Sequence, residues 1–121
     1  MDIKKIEHNF SVCKVSDYSL VNFDSEYVFI GKTDNENSLV CITEDVPINA
    51  ICREDNWKGF RIEGVLDFSL VGVLNNISSI LADNNISIFA VSTYNTDYIF
   101  VKSKDYEKAL DLLRKNGYNI L

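Results

Sequence analysis

The sequence predicts an α+β protein built on a ferredoxin-like βαββαβ unit, and three features of its second half predict it. Phe60, Ile62 and Leu66 alternate with Arg61 and Glu63, the period-two signature of a half-buried strand. Leu70, Val73, Leu74, Ile77, Ile80 and Leu81 then recur at three- and four-residue spacing, the apolar stripe of a helix. Two further apolar runs, residues 86–91 and 98–101, flank a tight turn at Asn95-Thr96 and precede a second helical pattern. The order from Trp57 onward reads β-α-β-β-α-β, which folds as a four-stranded antiparallel sheet with two helices on one face.

Each element has start and stop chemistry. Asp67 or Ser69 can cap the first helix, and Asn84-Asn85 can supply the left-handed residue that ends it. Ser103 is placed to cap the second helix, whose apolar face is Tyr106, Ala109, Leu110 and Leu113. Asp105 and Glu107 lie in its first turn and Arg114 and Lys115 in its last, as the helix dipole favours. Gly117 closes it, and residues 118–121 are long enough for a final edge strand.

The first half reads as strands. Residues 10–15 form one. Residues 27–30 and 39–43 are β-branched and aromatic runs around the polar cluster 34–37, hence an antiparallel hairpin. Pro47 followed by residues 48–51 can open one helical turn, and residues 19–23 another. About 65 residues is little for the second-half layer alone, so strands of the first half are expected to extend or cover its sheet. The expected units are residues 1–55 and 56–121.

With 12 basic against 18 acidic residues and a net charge of −6, the chain has no basic run to neutralise phosphates, so nucleic acid is excluded as a partner. No apolar stretch approaches the length of a membrane span, and residues 1–5 lack the apolar core of a signal peptide, so a cytoplasmic protein is expected. The three cysteines, Cys13, Cys41 and Cys52, sit in apolar runs without Cys-x-x-Cys spacing and read as small hydrophobes; no metal site and no cofactor is expected. Gly31-Lys32-Thr33 lacks the upstream glycine and following helix of a phosphate loop. The only histidine, His8, lies near the terminus, and Arg61 and Glu63 read as a salt bridge. No acid-base or nucleophile constellation nominates a reaction, so no residue is assigned as catalytic and the chain is read as no enzyme.

Two segments place polar residues where packing does not ask for them. Residues 63–72 join the first strand to the first helix, where a helix start offers N–H groups and positive potential to a carboxylate. Residues 92–98, Ser-Thr-Tyr-Asn-Thr-Asp-Tyr, gather hydrogen-bonding side chains and one carboxylate. A free amino acid needs both kinds of group. A capped helix and a polar hairpin turn need them equally, so the residues alone leave both readings open.

The pattern Glu63-Gly64-x-Leu66-Asp67-Phe68-Ser69-x-x-Gly72-x-Leu74, with residues 86–90 and Ser92-Thr93-Tyr94-x-Thr96-Asp97-Tyr98-Ile99, resembles the ACT-domain proteins of the aspartokinase-regulatory type. It is similar as well to the amino-acid-sensing CASTOR proteins. Thr33-x-x-Glu36-x-Ser38-Leu39-Val40-Cys41, Val46-Pro47 and Trp57 extend the likeness upstream, to roughly residues 26–121. The resemblance implies two ACT-like units, the first degenerate and mostly β, and homodimers formed through ACT units. It implies a non-catalytic regulatory module that binds a free amino acid at the interface between units. Carried over by position, Asp67, Phe68, Ser69, Leu70, Val71 and Gly72 border the ligand, Ser92, Thr93, Tyr94 and Asn95 complete the pocket, and Asp97 meets the ammonium. The other reading is a dimerisation module with no small-molecule ligand. Asn84-Asn85 departs from the family's usual Ala-Gly, though asparagine also tolerates the left-handed conformation.

Overall fold

A computed structural model of the chain describes residues 1–63 and 72–121. Its elements run β1 (Asp2–Val15), β2 (Val28–Lys32), β3 (Asn37–Ile42), β4 (Ala50–Ile62), α1 (Val73–Ala82), β5 (Ile88–Ser92), β6 (Asp97–Lys102), α2 (Tyr106–Lys115) and β7 (Asn119–Ile120), with a 3-10 turn after each of β3 and β6. The chain divides into two compact units: His8–Trp57, and Met1–Glu7 with Lys58–Leu121. Both boundaries fall inside long strands, so β1 and β4 each give one segment to each unit.

The larger unit has the βαββαβ order predicted for it, α+β with two helices on an antiparallel sheet. Its strands lie in the order β5–β6–β4–β1–β7. The sequence leaves one arrangement unannounced: the last strand does not border β4. Residues 2–3 of β1 stand between them, with Asp2 and Ile3 opposite Asn119 and Ile120 in parallel pairing. The Glu63 N–H donates to the Asp2 carbonyl (2.9 Å), which joins the start of β1 to the end of β4.

The core of this unit draws on the predicted apolar positions, with Val73, Leu74 and Ile80 only partly buried against it and Leu66 and Leu70 outside the described residues. Phe60 and Ile62 from β4, Ile77 and Leu81 from α1, Ile99 and Val101 from β6, and Tyr106, Ala109, Leu110 and Leu113 from α2 are buried together, joined by Ile3. Gly59 shows how tightly the other side of β4 packs: a Cβ there would lie 2.8 and 2.9 Å from two ring carbons of buried Phe100. Phe100 is itself stacked on Phe89, centroids 4.8 Å apart. Tyr106 donates its hydroxyl to the Gly59 carbonyl at 2.7 Å. Burial pushes this phenol up to about 12, with Glu7 and Glu107 adding to the rise and a backbone hydrogen bond at Ile6 opposing it. An acid whose folded pKa exceeds its ordinary value of 10 stabilises the fold below pH 10 and loses that contribution as pH climbs towards 12. Stability measured by urea unfolding is therefore expected to fall by roughly 2 kcal/mol more over this window in the wild type than in Tyr106→Phe.

Several local expectations change. Helix α1 begins at Val73, with Gly72 as its preceding residue at φ 92° and no side-chain cap. Asp67 and Ser69, the expected caps, lie outside the described residues, as does Leu66. Ser103 opens a 3-10 turn instead of capping α2, which follows from Tyr106 and has no side-chain cap. The end of α1 follows expectation, with Asn85 left-handed at φ 59°.

The smaller unit carries the predicted hairpin. β2 and β3 pair antiparallel from Val28↔Cys41 to Lys32↔Asn37, and β3 pairs with β1 from Phe10↔Ile42 to Lys14↔Ser38. Cys13, Val15, Leu39 and Cys41 form its core, with Tyr18, Val21, Val28, Val46 and Ala50 packed against them. Burial, then the neighbouring Cys13, pushes the Cys41 thiol up to about 12, so both of these cysteines behave as the hydrophobes expected. Cys52 does not: it is exposed on β4. Residues 19–23 form turns, not a helix, because Asp17 draws the Ser19 N–H and hydroxyl onto its own carboxylate. At Pro47 the chain makes a turn closed by the Ala50 N–H (3.1 Å) and enters β4 at once, so no helical turn forms over 48–51.

The two hairpins repeat at an offset of 60 residues. Val28–Lys32 and Asn37–Ile42 correspond to Ile88–Ser92 and Asp97–Lys102. The Thr33 N–H donates to Glu36 as the Thr93 N–H donates to Thr96, and a 3-10 turn follows each hairpin. No helix among the described residues is long and apolar enough to cross a membrane.

Candidate functional site

The end of β4 and the β5–β6 turn are held together in the larger unit. Thr96, buried in the turn, donates its hydroxyl to the Ile62 carbonyl at 2.7 Å, fastening the turn to the last residue of β4. The turn is internally braced: the Thr93 N–H and hydroxyl both donate to the Thr96 carbonyl, at 2.9 and 3.0 Å. Ser92 and Asp97 face each other in register where β5 ends and β6 begins, and the Ser92 hydroxyl donates to Asp97 Oδ1 at 2.6 Å. A carboxylate held this way has a fixed orientation and keeps acceptor capacity for a cation. Tyr94, at the tip, is 84% exposed, and Asn95 is exposed beside it.

The corresponding pair in the smaller unit is Lys32 and Asn37, whose side chains bond at 3.2 Å. A fixed acid thus exists in this position only on the hairpin of the larger unit. Arg61 and Glu63 form the predicted salt bridge at 3.2 Å near the end of β4. Burial pulls the Arg61 guanidinium down, but Glu63 and Tyr98 outweigh it and hold the pKa above its ordinary value.

Helix α1 opens onto a cleft of about 370 Å³ lined by Met1, Gly72, Val73, Asn76, Asn116, Gly117 and Tyr118. The positive φ of Gly72 is a conformation that side chains resist, and a Cβ added there would meet nothing within 4 Å. The wall of the cleft is tied across its two elements by Tyr118, whose hydroxyl donates to Asn76 Oδ1 at 2.5 Å. A helix start at a cleft attracts anionic groups, a carboxylate among them.

Of the predicted site residues, Gly72 lines this cleft. Ser92, Thr93, Tyr94, Asn95 and Asp97 form the braced turn, which is not among the cleft's lining residues. Asp67, Phe68, Ser69, Leu70 and Val71 lie outside the described residues. Asn76, Asn116 and Tyr118 were not legible as site residues, because no local motif marks them: Asn76 reads as a polar helix position, and Asn116 and Tyr118 read as the end of α2. His8 stands on β1 in the smaller unit, 3.5 Å from the Glu26 carboxylate and against the rings of Phe10 and Tyr27.

Comparison with known proteins bears on the family and the fold. Residues 53–115, just over half of the chain, match the family model of the ACT domain. No curated protein matches the chain. A protein of Agobacterium tumefaciens with a solved structure is 29% identical over 99% of this chain and 91% of its own, with a TM-score of 0.88. The aspartate kinase of Clostridium acetobutylicum is similar over 93% of this chain and 32% of the kinase, at 17% identity and a TM-score of 0.64. The ligand-free regulatory subunit of aspartate kinase from Thermus thermophilus is similar over 93% of this chain and 95% of its own, at 10% identity and a TM-score of 0.62. At such identities these two show a shared fold, one that in the Thermus protein forms a regulatory subunit. The chain belongs to the ACT domain family, with the fold of the aspartokinase-regulatory type.

Proposed function

We propose that this chain is a non-catalytic sensor that binds a free amino acid and passes its occupancy to a partner protein, acting in the cytoplasm as a homodimer paired through its ACT units. The ligand's carboxylate sits at the start of α1, bordered by Asp67, Phe68, Ser69, Leu70, Val71 and Gly72. Its ammonium meets Asp97, with Ser92, Thr93, Tyr94 and Asn95 around it. The observation that carries the reading is the Asp97 carboxylate, held by the Ser92 hydroxyl on a turn that Thr96 fastens to the end of β4. The cleft of about 370 Å³ beside Gly72 is of the size that small-molecule sites have. The smaller unit, whose hairpin repeats that of the larger without its acid, supports a degenerate first ACT-like unit that does not bind.

A thermal-shift screen of the twenty amino acids tests this. A ligand at 100 times its Kd stabilises by about 2.7 kcal/mol, a rise of several degrees for a chain of this size. If none at millimolar concentration moves the transition, the sensor reading is lost. A second reading, the same surface serving only to join two copies, is favoured by Tyr94 standing 84% exposed at the turn. Asp97→Ala separates the two: sensing requires that the ligand shift disappear while the oligomer seen by light scattering stays intact, whereas dissociation favours the contact role.

A further inference from the structure

The net charge of the chain falls on its smaller unit. Residues 8–57 hold nine acidic against three basic residues, while the larger unit holds nine of each. Five of those acids, Asp17, Asp24, Glu26, Glu44 and Asp45, lie on residues 16–27 and 43–49, the segments that join β1 to β2 and β3 to β4. Neither segment contains a lysine or an arginine. In the larger unit the corresponding connections are the helices α1 and α2; in the smaller they are turns that lie side by side. Asn22 Nδ2 donates to Asp45 Oδ1 at 3.4 Å, and Asn49 Nδ2 donates to the Ser16 hydroxyl oxygen at 3.1 Å and to the Asp17 carbonyl at 3.2 Å. Tyr18, Val21 and Val46 of these segments pack onto the core of the unit, but Leu20, Phe23 and Ile48 stand 51, 62 and 96% exposed. The cover is also incomplete. Ile30 stands opposite Leu39 and so on the face where Leu39 joins the core, yet it is 43% exposed.

We infer that this surface docks a basic amphipathic helix of a partner protein, which supplies the helical layer that the smaller unit lacks. Exposed apolar side chains rimmed by polar groups mark an interaction surface, and a helix meets such a surface with an apolar stripe. Leu20, Phe23 and Ile48 receive that stripe, and lysines or arginines on its flanks face the carboxylates of the two segments. Complementary charge of this kind steers the encounter and selects the partner. The unit's own bases do not answer these acids: Arg53 is paired with Asp55 at 3.0 Å, Lys32 is bonded to Asn37, and strand alternation turns Lys14 away from the side of Cys13. A second copy of the same surface would set carboxylates against carboxylates, and an anionic membrane would repel them. The inference does not depend on the amino-acid site of the larger unit.

The test titrates the full chain against dye-labelled helical peptides of about 18 residues, roughly five turns, read by fluorescence anisotropy. One peptide carries a leucine stripe flanked by lysines; a second keeps the lysines and replaces leucine by alanine; a third keeps the leucines and replaces lysine by glutamate. The leucine-lysine peptide is expected to bind at least tenfold more tightly than either of the others, and more weakly as salt rises. The double variant Phe23→Ser with Ile48→Ser is expected to weaken that binding at least tenfold with its thermal transition unchanged, both side chains being exposed. Should that variant unfold, Asp24→Lys with Glu44→Lys is expected to cause a loss of the same size. An alanine-lysine peptide that binds as tightly overturns the inference, since charge alone then explains the contact. An equally tight leucine-glutamate peptide overturns it too, as does binding indifferent to both double variants. Light scattering supplies a further check: a wild-type oligomer that Phe23→Ser with Ile48→Ser dissociates would assign the surface to a second copy and overturn the inference.

Discussion

Phe60→Ala is expected to lower the stability of this protein by about 3–5 kcal/mol, read as a shift in the urea midpoint at constant slope. Phe60 is fully buried on β4 and belongs to the core that both helices and β6 close over. Its loss removes the transfer free energy of the ring and leaves a cavity between side chains held by α1 and α2, and such cores relax only in part. A domain of this size has on the order of 5–15 kcal/mol of stability in total, so one substitution takes away a large fraction. A drop below about 1 kcal/mol would mean that the core is far looser than the burial of Phe60, Leu110 and Leu113 indicates.

One residue earlier the requirement reverses. Gly59→Ala, which adds a single methyl, is expected to destabilise by about 1–3 kcal/mol, because overpacking a filled site forces side chains and backbone to move. The methyl would arrive 2.8 Å from Cε1 and 2.9 Å from Cδ1 of Phe100, with the Ile99 carbonyl oxygen at 3.4 Å. The ring has little room to yield, being fully buried and stacked on Phe89. The Gly59 carbonyl also receives the Tyr106 hydroxyl, so a backbone shift at this point strains that bond too. A double-mutant cycle identifies the cause: with Phe100→Leu in place, Gly59→Ala is expected to cost at least 0.5 kcal/mol less than in the wild type. Equal costs in the two backgrounds would place the strain elsewhere.

The sequence announced this architecture wherever periodicity was strong. The α2 face of Tyr106, Ala109, Leu110 and Leu113 and the α1 positions Ile77 and Leu81 are buried as their spacing requires. The hairpin of residues 28–42 follows from its polar turn, and Asn85 takes the left-handed conformation that ends α1. Legibility fails where local chemistry competes with longer-range pairing. Residues 48–51 look helical after Pro47, yet strand pairing draws Ala50 and Ile51 into β4. Ser103 looks like a cap, but the chain leaves β6 through a 3-10 turn first. The parallel contact of β1 with β7 joins residues more than a hundred positions apart and leaves no local trace. The hairpin repeat at an offset of 60 leaves little trace in the sequence, because few identities persist, Phe29 and Phe89 or Thr33 and Thr93 among them, while strand lengths and turn bonds persist throughout.

The candidate site is legible in the same uneven way. Ser92 and Asp97 stand out as polar groups at a strand end, and they do meet. Asn76, Asn116 and Tyr118 come together only because α1 and the chain leaving α2 converge, which no linear spacing reveals.

The passage of β1 and β4 through both units limits what can be cut or exchanged. A polypeptide beginning near residue 56 would lack Ile3, which is fully buried in the helical core, and the partners on which Asn119 and Ile120 align. A gene fragment encoding only the helical portion thus specifies an incomplete sheet, and a crossover between the units would leave both descendants missing a strand. Heredity can copy this protein whole, but cannot deal out its halves as separate cards.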